Sequence, residues 1–320
     1  EKINMNNVSS KKFLPLVSIV IPTYNHSKYL VDSIKSVKAQ DYPNIELIVL
    51  DDGSTDNTPD VLAQLDNNFF WERQANMGQS QTLTKGWKMS NGDILGYLSA
   101  DDMLLSNAVS TSVTTLMTSS DVVATYCNFN LIDPYSHIIK EINLPEFDYK
   151  KMLGEVNCPI GPGAFFKRST YLSSGPWNSK YKQMPDYDFW LRLGLLGKFV
   201  RLPEVLASYR VHEESQSYSI TSLERSIEPI LIVSSLLNQQ HKSYFDREFK
   251  EHALANANLV SAQLNLRAGR YGQGFILLKQ ALKHSSFSII KLNTVKLIFN
   301  AIFNRSGHKF FWKLRKILKG

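Results

Sequence analysis

Apolar runs and amphipathic stretches alternate along the first part of the chain. Continuous apolar runs, rich in β-branched residues, predict strands buried on both faces at residues 17–22, 45–50 and 94–98, and residues 69–74 are predicted as a further strand. Leu30, Ile34 and Val37 recur at helical spacing, so we expect a helix after Ser27, whose hydroxyl is predicted to cap it. Further helices are predicted from Pro59 to residue 65 and over residues 79–90.

The pattern continues in the middle of the chain and then changes. A helix is predicted over residues 106–117, strands over 122–129 and 137–144, a strand leading into a helix over 163–172, and a helix from residue 187. Residues 198–212 are predicted as strand, turn and strand. From about residue 217 onward only helical periodicity is found, and residues 264–283 resemble half of a tetratricopeptide-type helical hairpin.

This order of elements predicts an α/β fold in which helices cover both faces of a mostly parallel sheet. We expect residues 1–216 to form this domain and residues 217–320 to form an α-helical C-terminal region with a basic amphipathic tail.

Composition agrees with a globular protein, because 43% of the 320 residues are hydrophobic and 20% are charged. No apolar run reaches the roughly 18 residues that a membrane-spanning helix needs, and the first residues lack the apolar core of a signal peptide. Two cysteines, Cys127 and Cys158, do not form a disulfide framework, so a reducing, cytoplasmic location is expected.

The net charge of +7 is concentrated in part at the end of the chain, where residues 309–320 hold five Lys and Arg residues and no acid. Apolar residues alternate with them, which is typical of an amphipathic helix lying on an anionic membrane surface. A solvated terminal helix that packs its apolar face on the domain would have the same pattern. A nucleic-acid partner is not expected, since no recognition motif accompanies the charge.

Polar side chains follow the predicted strands at one edge of the sheet. Thr23, Asp51 and Asp52 come at the ends of the first two strands, and Asp101 and Asp102 follow the strand at residues 94–98. Ligands bind at the carboxyl ends of parallel strands in such sheets. The tandem aspartates either cap the next helix or bind a divalent cation, Mg²⁺ or Mn²⁺, together with phosphate oxygens.

Four segments together resemble the family-2 inverting glycosyltransferases of GT-A fold. They are IPTYNHS with DDGSTD, NMGQSQTLTKGW with NGDILGYLSADD, MPDYDFWLRL, and YRVHEES, and the resemblance extends over about residues 17–217. Ser99 stands where the first acid of the family's aspartate motif is common, and Pro185 stands where a Glu is common. The resemblance implies a nucleotide-sugar-binding half at about residues 17–103 and an acceptor half at about 104–216.

The resemblance also implies roles for individual residues. Asp102 would be the protein ligand of the metal, joined by His212, and Asp186 would be the catalytic base. Asp188 is expected to interact with the helix dipole, and Arg210 is expected to pack or pair. The residues implied in binding the nucleotide-sugar are Pro22, Thr23, Tyr24, Asn25, Asp52, Asn76, Gly78 and Asp101. Among them, Thr23 and Asp52 would contact the nucleotide base and Asp101 would reach the ribose.

The implied reaction is transfer of a sugar from a nucleotide-sugar, UDP-sugar first among them, to a hydroxyl of a glycan or lipid-linked glycan in surface polysaccharide synthesis. This would occur in the cytoplasm or on the cytoplasmic face of the inner membrane. The segment GPGAFF, residues 161–166, resembles the family's acceptor side, or is an ordinary turn. A nucleotidyltransferase is disfavoured, because IPTYNHS lacks the Gly and Lys of a phosphate loop. A degenerate, non-catalytic binding or scaffold protein stays an alternative.

Overall fold

The computed structural model describes residues 14–65, 68–213, 220–238 and 245–284. Nine strands of this part of the chain form one sheet: β1 (Val17–Thr23), β2 (Ile45–Asp51), β3 (Phe70–Arg73), β4 (Ile94–Tyr97), β5 (Met103–Leu104), β6 (Val122–Ile132), β7 (Ile138–Ile142), β8 (Phe165–Lys167) and β9 (Lys198–Arg210). The helices are α1 (Leu30–Lys38), α2 (Thr58–Gln64), α3 (Gln79–Met89), α4 (Ala108–Leu116), α5 (Tyr149–Glu155), α6 (Arg168–Ser174), α7 (Pro185–Gly194), α8 (Leu223–Ser226), α9 (Glu228–Asn238), α10 (Arg247–Arg267) and α11 (Tyr271–His284).

The strand order is β3-β2-β1-β4-β8-β6-β9-β5, with β7 paired to β6. The four strands β3, β2, β1 and β4 are parallel to one another, and β6 and β9 are also parallel. Antiparallel pairs join β4 to β8, β8 to β6, β6 to β7 and β9 to β5. The α/β prediction is confirmed, and the carboxyl ends of β1, β2 and β4 meet at one edge, as the sequence predicted.

Hydrophobic clusters cover both faces of the sheet. Alternate residues of β1 point to opposite sides: Val20 joins one cluster, while Ile19 and Ile21 join the other. Residues of α1, α2 and α4 complete the Ile19 cluster. The Val20 cluster contains residues of α3, α5, α6 and α7, centred on Trp87, Phe166, Phe189 and Trp190.

Helices of the C-terminal region belong to the same core. Ile232 and Leu236 of α9 and Ala253 and Ala257 of α10 are buried in the Val20 cluster beside α5 and α7. Gly269 (φ +77°) follows α10, and α11 then packs back along α10, as the predicted hairpin requires. The division near residue 217 stays a prediction, because residues 214–219, like the tail at 309–320, lie outside the described residues.

Several local predictions were wrong. Ser27 does not cap α1: the N-cap residue is Tyr29, and Ser27 donates its backbone N–H to Asp56 Oδ2 (3.1 Å). Residues 198–210 form one strand rather than two, because its pairing with β6 shifts register around Pro203 instead of turning. The short elements β5 and α5 were not predicted. None of the helices within the described ranges is long and apolar enough to cross a membrane.

Candidate active site

Two adjoining cavities lie at the carboxyl ends of β1 and β4, beside the start of α7. The first, here called the acidic cleft, has a volume of about 330 Å³ and is lined by Asp101, Asp102 and Asp186 among others. The second, called the side cavity, has a volume of about 490 Å³. The residues shared by both cavities are Pro22, His26, Gln79 and Pro185. Acids from two distant segments therefore meet in one binding region.

Asp101 forms the centre of a small cluster with two histidines. His212 Nε2 lies 2.9 Å from Asp101 Oδ2, and His26 Nε2 lies 3.9 Å from the same oxygen. Burial opposes ionisation of Asp101, but the hydrogen bond from His212 and the charge of His26 bring its pKa below the ordinary value. His26 Nδ1 is buried and has no hydrogen-bond partner within the described residues.

Asp102 has a different environment from its neighbour. Its side chain is 3% exposed, and Oδ1 accepts a hydrogen bond from the backbone N–H of Arg210 (2.9 Å). Burial, and then the negative charge of Asp101, raise the pKa of Asp102 well above the ordinary value. The Arg210 guanidinium is itself buried: it donates to the carbonyl oxygen of Asp101 (2.9 Å) and lies over the Tyr29 ring. Arg210 thus packs and pairs, as expected from the sequence.

The cluster of His26, Asp101 and His212 fits a divalent cation. One ligand atom from each residue lies within 4.8 Å of the others, so all three can face one ion. The carboxylate oxygen suits Mg²⁺ and Mn²⁺, whereas the two imidazole nitrogens suit transition metals better than Mg²⁺. His212 was predicted as a ligand and His26 was missed. The sequence prediction named Asp102 as the ligating acid, whereas the geometry brings Asp101 next to both histidines; both acids line the cleft.

Most of the predicted nucleotide-sugar residues line the side cavity, namely Pro22, Thr23, Tyr24, Asp52, Asn76 and Gly78. Thr23 is 2% exposed, and its hydroxyl oxygen has no hydrogen-bond partner in the described part of the chain. An unpartnered buried hydroxyl beside a cavity can accept or donate a hydrogen bond to a ligand there. Gly78 has φ +85°, which explains glycine at this position without any ligand.

Asp52 organises the loop beside this cavity. Its Oδ2 accepts from the N–H of Gly78 (2.8 Å), and its Oδ1 accepts from the N–H of Met77 (2.9 Å) and from Gln74 Nε2 (2.9 Å). A carboxylate has about four acceptor positions, so about one is left for the predicted contact with a base. Asp52 thus holds the loop that lines the cavity.

Asn25 was also predicted to bind the nucleotide-sugar, but its side chain is used elsewhere. Its Oδ1 accepts from the backbone N–H groups of Thr55 (2.7 Å) and Asp56 (3.3 Å), and its own N–H donates to Ser54 Oγ (2.9 Å). Its φ of +58° is unusual for a residue other than glycine. Asn25 ties the loop after β1 to the loop after β2, and it lines neither cavity.

Asp186 reaches the acidic cleft from the first turn of α7. Pro185 precedes it, which suits a helix start because Pro lacks the N–H that would be unpaired there. Burial raises the pKa of Asp186 above the ordinary carboxyl value, although the N–H of Tyr187 opposes this. Asp188 faces away: it pairs with Arg192 (2.9 Å), which also donates to the carbonyl of Pro176 (2.8 Å).

Aromatic side chains that the sequence did not single out line the acidic cleft together with the acids. Tyr97 and Trp177 line the acidic cleft with their rings in an edge-to-face arrangement, 5.2 Å apart. Trp177 is 4% exposed, and its Nε1 has no hydrogen-bond partner among the described residues. Burial, and then the charge of Asp186, raise the pKa of the Tyr97 hydroxyl well above the ordinary value.

Comparison with known proteins decides the family. The model of the family described as "Glycosyl transferase family 2" matches residues 18–172. An uncharacterized glycosyltransferase of Rickettsia typhi is 30% identical over 222 residues, which span 66% of this chain and 69% of that protein. The chain belongs to glycosyltransferase family 2. It is therefore a glycosyltransferase, as the four sequence segments implied.

Other relatives of this family-2 glycosyltransferase are larger. Hyaluronan synthase of Pasteurella multocida is 27% identical over 237 residues, which span 73% of this chain but only 24% of that protein. Among solved structures, Staphylococcus aureus TarS 1–349 in complex with UDP-GlcNAc has a TM-score of 0.65 at 15% identity, covering 91% of this chain and 88% of that chain. The structural likeness shows that the glycosyltransferase has the predicted GT-A fold.

Proposed function

We propose that this glycosyltransferase moves a sugar from a nucleotide-sugar to an acceptor hydroxyl with inversion at the anomeric carbon. The observation that carries the proposal is that Asp186 and the tandem acids Asp101 and Asp102 line one cleft, beside a second cavity at the end of β1. One carboxylate can then act on the acceptor while the other two lie beside the leaving diphosphate.

The donor is proposed to be a UDP-sugar that places its nucleotide in the side cavity. The family membership and the UDP-GlcNAc complex of TarS support this choice. Thr23 would hydrogen-bond the nucleotide, and Tyr24, which is 46% exposed, offers a ring for stacking. Pro22 and Asn76 complete the wall, while Asp52, Gly78 and Asn25 would act by shaping the surrounding loops.

A divalent cation, Mn²⁺ or Mg²⁺, is proposed to be bound by His26, Asp101 and His212, with Asp102 beside them. When bound, it would supply Lewis-acid stabilisation of the negative charge that develops on the diphosphate. Asp102 is no ligand in this scheme; its carboxyl group is held beside the cluster by the hydrogen bond from the Arg210 N–H. Asp101 would then bind the cation rather than the ribose that the resemblance implied.

Asp186 is proposed as the general base. Its carboxylate takes the proton of the acceptor hydroxyl while that oxygen forms the new bond to the anomeric carbon. The bond between this carbon and the diphosphate breaks in the same step, and the electron pair leaves with the diphosphate. One displacement inverts the configuration and needs no covalent intermediate on the protein.

The acceptor is proposed to be a glycan or a lipid-linked glycan of a surface polysaccharide, built at the cytoplasmic face of the membrane. Similarity to part of hyaluronan synthase supports a polymer as acceptor. Tyr97 and Trp177 form part of the wall of the acidic cleft, where an acceptor sugar would lie. Association of residues 309–320 with anionic lipid stays a prediction.

The test measures binding and turnover on the same preparations. Nucleotide-sugars are screened by thermal shift with and without Mn²⁺, since a true donor raises the melting temperature by mass action. We expect Asp101→Asn to lose the Mn²⁺-dependent part of the shift and at least about tenfold in nucleotide release, because the metal site loses its charged ligand. Asp60→Asn, an exposed change on α2, is the control.

Two results would revise the proposal in different ways. If Asp102→Asn alone removes the Mn²⁺ response, the ligating acid is the one that the sequence resemblance implied. If the wild-type chain binds a nucleotide-sugar but releases no nucleotide with any acceptor or with water, the alternative of a degenerate binding or scaffold protein is favoured. The departures at Ser99 and Pro185 are the observations that support that alternative.

A further inference from the structure

A carboxylate from the C-terminal region binds the segment that leads into α7. Glu228 is the first residue of α9, and only 4% of its surface is exposed. Its Oε1 accepts from the backbone N–H of Lys182 (2.8 Å), and its Oε2 accepts from the N–H groups of Gln183 (2.7 Å) and Met184 (3.1 Å). Three consecutive backbone N–H groups therefore share one buried carboxylate.

These three residues lie directly before α7. Met184 is the N-cap residue of α7, and Asp186 is two residues further on, at the cleft. The side chain of Met184 cannot accept hydrogen bonds as Ser or Asp does at a helix start, and Pro185 has no N–H. The direction in which the chain enters α7 is thus fixed from outside, by Glu228.

A second contact from the same region supports this reading. Thr221 Oγ1 donates to the side-chain oxygen of Gln183 (3.1 Å), and Gln183 also lines the acidic cleft. The carbonyl of Thr221 in turn accepts from Arg270 at the start of α11 (2.8 Å). The segment before Asp186 is therefore attached at both its backbone and a side chain to residues beyond 220.

We propose that Glu228 is a positioning residue for the glycosyl transfer: it fixes the start of α7 so that Asp186 points at the acceptor hydroxyl. This inference rests on the proposed role of Asp186 as the base. Glu228 touches neither cavity, so its effect on the reaction passes through the backbone of residues 182–184. Hydrogen bonds from N–H groups to a carboxylate are about twice as strong as those between neutral groups, which suits such a role.

The decisive variant is Glu228→Gln, which keeps the size of the side chain. Its amide group must turn an N–H₂ toward at least one of the backbone N–H groups, so at least one of the three hydrogen bonds is lost. We expect the turnover of acceptor-dependent transfer to fall about 10- to 100-fold, because small displacements of a catalytic group have effects of that order. Nucleotide-sugar affinity should change less than about threefold, because Lys182 is the one residue of these three that lines the side cavity.

Two further readouts separate positioning from a general loss of structure. Amide exchange at Lys182, Gln183 and Met184 should be faster in the Gln variant while exchange in β1 and β2 is unchanged. The acid limb of the pH–rate profile should shift, because the surroundings of Asp186 change. Glu224→Gln removes the same charge from an exposed position on α8 and should leave turnover, exchange and pH profile as in the wild type.

The outcomes are distinguishable. Wild-type turnover in Glu228→Gln overturns the inference, and so does a parallel loss of melting temperature, nucleotide-sugar affinity and turnover. If Glu228→Gln does not fold, Glu228→Asp decides: it keeps the charge but has a shorter reach, and wild-type turnover in that variant also overturns the inference. Failure of the wild type itself to transfer sugar would contradict the proposed function, a result that is visible before any variant is compared.

Discussion

The two sides of the active site are supported in different ways. Around the side cavity, the loops after β1, β2 and β3 bind one another: Asp52 accepts from the N–H groups of Met77 and Gly78, and Asn25 accepts from those of Thr55 and Asp56. Every one of these partners lies in the first hundred residues. The segment before Asp186, by contrast, is bound by Glu228, more than forty positions later in the chain.

The two sides of the site are thus supported by different parts of the chain. The loops on the proposed donor side are held by hydrogen bonds among themselves, although Lys182, Pro185 and Arg225 also line the side cavity. The proposed base side depends on helices that the family model does not cover, since that match ends at residue 172. A change at Glu228, which lines neither cavity, is therefore expected to alter transfer more than nucleotide-sugar binding.

The largest expected effect is on the base itself. Asp186→Asn should reduce acceptor-dependent transfer by roughly 10²- to 10⁴-fold, the range that general base catalysis contributes, while nucleotide-sugar binding is kept. Steady-state kinetics with calorimetric binding on the same protein would measure both. Retained transfer in Asp186→Asn would contradict the role of this residue.

The same variant has a predicted effect on stability. Because burial raises the pKa of Asp186 in the folded state, the folded protein binds more protons than the unfolded chain between the ordinary carboxyl pKa of about 3.9 and the raised value. The free energy of unfolding of the wild type therefore falls as pH rises through that window. Asp186→Asn removes this cost, so at neutral pH it should melt no lower than the wild type. As the pH is lowered, the transfer rate of the wild type should begin to fall at a pH above the ordinary carboxyl range.

A smaller effect is expected on the donor side. In Asp52→Asn an amide N–H₂ opposes one of the N–H groups of Met77, Gly78 or Gln74, so at least one hydrogen bond is lost. We expect the free energy of unfolding to fall by about 1–3 kcal/mol and nucleotide-sugar affinity to fall about tenfold. Turnover at saturating donor should change little, the reverse of the pattern for Glu228→Gln. Asp60→Asn again serves as the control. If Asp52→Asn and Glu228→Gln reduced turnover equally, the contrast between the donor side and the base side would be contradicted.

The smallest effect on catalysis is expected from the tail. Deletion of residues 309–320 should leave turnover with a soluble acceptor unchanged, yet reduce co-sedimentation with anionic liposomes, because each Lys or Arg near such a surface contributes about 1 kcal/mol. Neutral liposomes and raised salt are the controls, since both should abolish the difference. Equal binding of full-length and shortened protein to anionic liposomes would remove the membrane prediction.

The sequence predicted what depends on long or repeated signals. Continuous apolar runs located β1, β2 and β4, and the acids after them marked the ligand edge of the sheet. It did not predict β5, whose two residues are too few to show a period, or α5, a helix of seven residues capped by Asp148. A turn was predicted within residues 198–212, whereas β9 continues through Pro203 with a register shift against β6.

Within the candidate site, the sequence predicted which residues approach the cleft better than what each of them contacts. Adjacent acids look alike in sequence, but backbone direction turns Asp101 toward two histidines and Asp102 toward the N–H of Arg210. No sequence pattern marked His26 as a possible metal ligand, because it lies in the irregular loop after β1. Glu228 could not be found at all, since its partners are backbone N–H groups, which any residue except Pro provides.

Strand β9 constrains the spacing of the cluster formed by His26, Asp101 and His212. It pairs with β6 on one side and with β5 on the other, and it ends two residues before His212. Successive side chains of a strand point to opposite faces. Insertion or deletion of one residue between Val205 and Arg210 would therefore exchange inward and outward side chains, and it would move the imidazole of His212 away from Asp101. Evolution of this segment is therefore confined to substitutions, or to length changes absorbed at the irregular pairing near Pro203.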